Sequence, residues 1–76
     1  MTLSEYRYLQ TINGLYDGTV GIRLSAIAAA MDVTKVSVFK AVERLEHDSL
    51  IARDARNRVI MTQRGSDTLE KYNILI

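Results

Sequence analysis

Two segments with helical apolar spacing, Ser25–Met31 and Thr34–His47, are separated by only Asp32 and Val33. That spacing restricts the fold more than any other feature of the chain. At about 100° per residue, Val38, Ala41, Val42 and Leu45 share one arc of a helix, with Phe39 at its border. The opposite side carries Val36, Lys40, Glu43 and His47, flanked by Ser37 and Arg44 on one edge and Lys35 on the other. Thr34 is placed to cap this helix, because a threonine hydroxyl accepts from a first-turn N–H. Ser25 is a second capping candidate, before the run Ala26-Ile27-Ala28-Ala29-Ala30-Met31. Small alanines let two helices approach closely. A short helix, a tight turn and a longer helix form a helix-turn-helix. Its turn lacks glycine, but aspartate at position 32 also tolerates turn conformations.

The flanks extend the pattern. Thr2 and Glu5 have capping-box spacing, opening a helix expected to run to about Tyr16. Tyr8, Leu9, Ile12, Leu15 and Tyr16 share its core face, whereas Leu3 and Tyr6 face elsewhere and need another partner. Asp17–Gly21 reads as a turn, and Ile22-Arg23-Leu24 as a small strand. After the long helix, Leu50–Arg53 and Arg58–Met61 read as strands joined by the turn Asp54-Ala55-Arg56-Asn57. Asn57 is the residue best suited to positive φ at the hairpin tip. Thr62 can cap a last helix from Gln63 to about Tyr72, with Gly65 in its first turn.

The order helix, short strand, two helix-turn-helix helices, two-stranded hairpin and final helix defines an α+β, mainly α, winged helix-turn-helix. We expect residues 1–76 to form one such domain. A chain of 76 residues supports one modest core. It has no cysteine, so disulfide staples and thiolate zinc sites are excluded. No apolar run is long enough for a bilayer, and the start lacks a signal-peptide layout, so a cytoplasmic protein is expected. The residues offer no nucleophile–histidine–carboxylate set and no glycine-rich phosphate loop, so no enzyme, metal or cofactor is expected.

The net charge is only +1, but it is unevenly spread. Thr34–Arg64 carries seven basic against four acidic side chains, and the remainder three against five. A basic helix-and-hairpin half suits a surface that faces phosphates.

The residues Leu24-Ser25-Ala26-Ile27-Ala28, Val33–Val38, Val42–Ile51 and Met61-Thr62-Gln63-Arg64-Gly65 resemble bacterial and archaeal winged-helix repressors. The likeness is greatest to the N-terminal domain of the diphtheria-toxin-repressor family, the iron- and manganese-dependent repressors. It covers nearly the whole chain. The multiple-antibiotic-resistance regulators share a similar Arg44-Leu45-Glu46, Leu50-Ile51 and Thr62/Gly65 pattern. The resemblance implies a double-stranded DNA-binding transcriptional regulator, a repressor. The family's metal ligands on the first helix fall at Arg7 and Gln10 here. Arginine does not coordinate a divalent cation and glutamine replaces a carboxylate poorly, so metal control by that route is not expected.

The helix at 34–48 would then enter the major groove with its N-terminal half. Ser37 and Lys40 are the base-edge candidates, and Val36 suits a thymine methyl. Thr34, Lys35 and Arg44 are phosphate candidates. Arg53, Arg56 and Arg58 would let the wing follow the backbone or minor groove. The competing reading is a winged helix that docks on protein through Val36, Phe39 and the wing. The apolar set Leu3, Tyr6, Tyr72, Ile74, Leu75 and Ile76 is expected either to close within one molecule or to form a homodimer interface; the dimer is favoured.

Overall fold

The computed structural model describes residues 1–75, with side chains described to Asn73. The elements are α1 (Leu3–Leu15), α2 (Leu24–Met31), α3 (Lys35–His47), β1 (Ile51–Arg53), β2 (Val59–Met61) and α4 (Gln63–Leu75). Four helices and one antiparallel hairpin are the expected architecture.

Helix α1 is the hub, packing against α2, α3, α4 and β2. Thr2 caps it, accepting from the Glu5 N–H at 3.1 Å. Tyr8, Leu9 and Ile12 are buried as expected. Leu15 departs from expectation: as the last residue of the helix it lies at the rim of the core, 43% exposed. The chain then turns through Asp17, whose Oδ1 accepts from the N–H groups of Thr19 and Val20.

The expected strand at Ile22–Leu24 contracts to one residue. Ile22 and Val59 exchange both backbone hydrogen bonds at 2.8 Å, forming a single bridge on the edge of the hairpin. Leu24 is already helical. Ser25 is not the cap either: Ala26 and Ile27 donate to the Arg23 carbonyl, so the helix begins earlier, with Arg23 as an N-cap lacking a side-chain bond.

Helices α2 and α3 end in the same way. After α2, Asp32 takes φ 55°, and Val33 donates back to the Ala28 carbonyl. After α3, Ser49 takes φ 61°, with Ser49 donating to Glu46 and Leu50 to Leu45. A left-handed residue followed by a bond five residues back closes the orphan carbonyls of a helix end without glycine. The aspartate thus replaces the glycine that the turn lacks.

The hairpin pairs Ile51 with Met61, Ala52 with Ile60 and Arg53 with Val59. Asn57 takes φ 63°, the positive value expected of it. Thr62 caps α4, accepting from Gly65 N at 3.0 Å while its hydroxyl donates to the Ser49 carbonyl at 2.7 Å. One side chain thus ties α4 to the end of α3. Gly65 is buried, and a Cβ there would run into the Leu50 carbonyl oxygen. The core is apolar throughout the described residues, centred on Leu9, Ile12, Ile27, Val38, Val42, Leu45, Ile51 and Val59.

Candidate nucleic-acid interface

The α3 backbone dictates what the outward face can offer. Thr34 caps the helix, accepting from Ser37 N at 3.2 Å and donating its hydroxyl hydrogen to Ser37 Oγ at 3.0 Å. The threonine hydroxyl is therefore committed locally, while the serine keeps its own hydrogen to donate outward. Val38, Val42 and Leu45 anchor the opposite side in the core. Lys35, Val36, Ser37, Lys40 and Arg44 are all exposed as a result, with Val36 at 65%.

Two grooves flank this face. One, of about 440 Å³, is lined by Arg23, Leu24, Ser25, Lys35, Arg56, Asn57 and Arg58. Four basic side chains from three places in the sequence converge there: the start of α2, the start of α3 and the hairpin tip. The other, of about 280 Å³, is lined by the start of α1 together with Ser37, Lys40 and Arg44. The expected contact residues therefore divide between two sides of one helix.

The hairpin tip is held rigidly. Asp54 Oδ1 accepts from Arg56 N at 2.9 Å and Arg58 N at 3.0 Å. The bond from Arg58 N–H, aided by that of Arg56 and by both positive charges, lowers the Asp54 pKa despite some desolvation. Gly21 packs beneath the tip, where a Cβ would lie only 2.6 Å from Arg58 Cβ and 2.7 Å from Asp54 Oδ2.

Arg53 behaves unlike its neighbours. It shares the inner hairpin face with Ile51, because alternate strand residues point the same way. Its Nε lies 3.3 Å from Glu46 Oε1, and its Nη1 donates to Asn57 Oδ1 at 3.0 Å. Its guanidinium carbon sits 5.3 Å from the centre of the Phe39 ring. The arginine expected to reach a phosphate is engaged inside the domain.

No protein-family model matches the chain, and no curated protein matches it. Solved structures do. The hypothetical protein SSo2273 from Sulfolobus solfataricus superposes with a TM-score of 0.83 at 27% identity, covering 93% of this chain and 54% of that one. MepR, a transcription regulator of the Staphylococcus aureus multidrug efflux pump MepA, superposes at 0.84 with 22% identity, covering 96% and 54%. A MepR mutant gives 0.82. The fold is the winged helix-turn-helix. In its terms α3 stands in the position of the recognition helix and residues 51–61 in that of the wing. The chain spans about half the length of these neighbours.

Sequence reading missed Arg23 as a member of the basic groove. Its signal was position: it immediately precedes an alanine-rich helix. Of the apolar set at the termini, Leu3 is 67% exposed. Tyr6 instead finds α4 within the chain, its hydroxyl donating to Asn73 Oδ1 at 2.6 Å and its ring 5.9 Å from that of Tyr72. The side chains of Ile74 and Leu75, and all of Ile76, lie outside the described residues.

Proposed function

We propose that this domain is a sequence-specific double-stranded DNA-binding transcriptional regulator, a metal-free winged-helix repressor acting as a homodimer in the cytoplasm. The observation that carries this reading is the convergence of Lys35, Arg56 and Arg58, with Arg23, beside the exposed first half of the recognition helix. Duplex DNA needs both features at once: a protruding helix for the major groove and cations spaced to meet the flanking phosphates. Ser37 and Lys40 are the base-reading residues in this proposal, and Val36 packs on a thymine methyl. Lys35, Arg44, Arg56 and Arg58 hold phosphates, with Thr34 fixing Ser37. That MepR, of the same fold, is a transcription regulator supports the reading.

The likeness to the diphtheria-toxin-repressor family belongs to this proposal as well, with Arg7 and Gln10 in place of its first-helix ligands. No group of three or more metal-binding side chains occurs among the described residues, and none of their helices is long and apolar enough to cross a membrane. A homodimer would place two recognition helices about one DNA turn apart, with Leu3 and the end of α4 as the contact.

A second reading draws on the exposure of Val36 and Phe39, at 65% and 42%: these could dock on a protein instead. Selection of bound duplexes from a random pool separates the two. Enrichment of a two-fold symmetric motif is expected. Failure to enrich any motif would move the function to protein docking.

A further inference from the structure

We infer that Arg53 is a positioning residue that sets the angle of the wing against the recognition helix and does not itself contact phosphate. The inference rests on the DNA-binding reading and deepens it. Its basis is that one side chain touches three separate places. It meets Phe39 and Glu46, seven residues apart on α3 and so on nearly the same face. It also meets Asn57 at the hairpin tip, the residue whose positive φ makes the turn.

The chemistry requires a guanidinium. A flat, delocalised cation can lie over the Phe39 ring, within the roughly 6 Å range of that attraction, while its edge donates to Asn57 and faces Glu46. Lysine offers one point charge and cannot serve all three. The side chain is only 13% exposed, and its Nε is buried without a well-aligned hydrogen bond, so the contact with Glu46 acts through charge. Arginine held in this way has little freedom to leave for a phosphate. The same contact sets the Arg53 cation against the Glu46 carboxylate.

The wing otherwise rests on its other side, where Ile22 bridges Val59 and Gly21 lies beneath Asp54 and Arg58. Arg53 supplies the brace on the α3 side. Together they hold Arg56 and Arg58 opposite Lys35, and so fix the width of the basic groove.

The test compares Arg53→Met and Arg53→Lys with Arg56→Ala, measuring duplex affinity across a salt series. A phosphate contact contributes about 0.9 to the slope of log K against log salt. Arg56→Ala is expected to reduce the slope by about that amount. Both Arg53 variants are expected to weaken binding about tenfold with the slope unchanged. Glu46→Gln, at an exposed position, keeps Arg53 but removes its charged partner on α3, so it should loosen the wing against α3 even if the Arg53 variants fold poorly. A second readout needs no DNA: spin labels on Ala55→Cys and His47→Cys in the free protein report the distance from wing to α3. That distribution should be narrow in the otherwise unaltered protein and broad once Arg53→Met is added. Loss of slope in Arg53→Met, or an unchanged distance distribution, would overturn the inference. If the unaltered protein binds no duplex at all, the DNA reading fails, while the label distances still decide whether Arg53 braces the wing.

Discussion

Gly65 shows how much can rest on one missing atom. Its Cα lies against the Leu50 backbone, where a side chain would meet the carbonyl oxygen and the Met61 methyl group. Gly65→Ala should destabilise the domain by about 2–3 kcal/mol, as overpacking against immobile backbone does. Urea unfolding would measure it, and an unchanged midpoint would contradict the close approach. Asp54 allows a pH test. Its folded-state pKa lies below the ordinary carboxylate value, chiefly through the Arg58 N–H. The carboxylate therefore supports the tip fully at pH above that ordinary value, and the support is lost as pH falls through the depressed one. The amide proton signals of Arg56 and Arg58 should shift together in that acidic window and stay constant near neutrality. These residue-scale features differ in how far they could be read from the chain. The positive φ of Asn57 is a local preference, so the sequence displayed it. The need for glycine at 65 and 21 arises from contacts with residues 50, 54 and 58, remote in sequence, and periodicity contains no trace of them. The inward turn of Arg53 was in principle legible, since the strand alternation puts it on the face of Ile51, but three nearby arginines read more simply as one basic loop.

At the scale of elements, helix starts and stops decide what is presented outward. Thr2, Thr34 and Thr62 each cap the helix that follows. Of these, Thr62 also holds the end of α3 through the Ser49 carbonyl. Thr62→Val should cost about 1–2 kcal/mol, within the range for losing a cap, and Thr2→Val less, because the start of α1 is exposed. Paired thermal melts would rank them, and equal losses would argue that the bond to Ser49 adds nothing. The two glycine-free helix ends invite the opposite change. Ser49 occupies a left-handed conformation that costs a non-glycine residue about 1 kcal/mol, so Ser49→Gly should be neutral to slightly stabilising in the same melts. Capping and amphipathic spacing make α1, α3 and α4 legible from residue types alone. The start of α2 is harder to read, because Ser25 has the residue type of a cap, while the backbone bonds of Ile22 to Val59 fix where the helix can begin. The strand expected before it is short for the same reason: one residue can bridge Val59 before the chain turns into α2.

For the molecule as a whole, the arrangement is a helix presented between two clefts. Helix α1 carries α2, α3, α4 and β2, so the core that stabilises the domain also fixes α3 relative to the wing. Leu3 is exposed beside a part of α1 whose neighbour Tyr6 is already covered by α4. In the proposed homodimer, Leu3→Glu should raise the dissociation constant at least about tenfold, the scale of one well-buried side chain at an interface. Sedimentation equilibrium would show it; a monomer at all soluble concentrations for the unaltered protein would remove the dimer from the proposal. In the proposed complex, α3 and the basic groove engage the same duplex. Its most direct measurement is the salt dependence of affinity for a selected duplex, in the unaltered protein and in Arg56→Ala, Arg58→Ala and the double variant. A steep negative slope is expected, made shallower by about 0.9 for each arginine removed, with the double variant showing the sum. A slope near zero, or one that none of these substitutions alters, would contradict it.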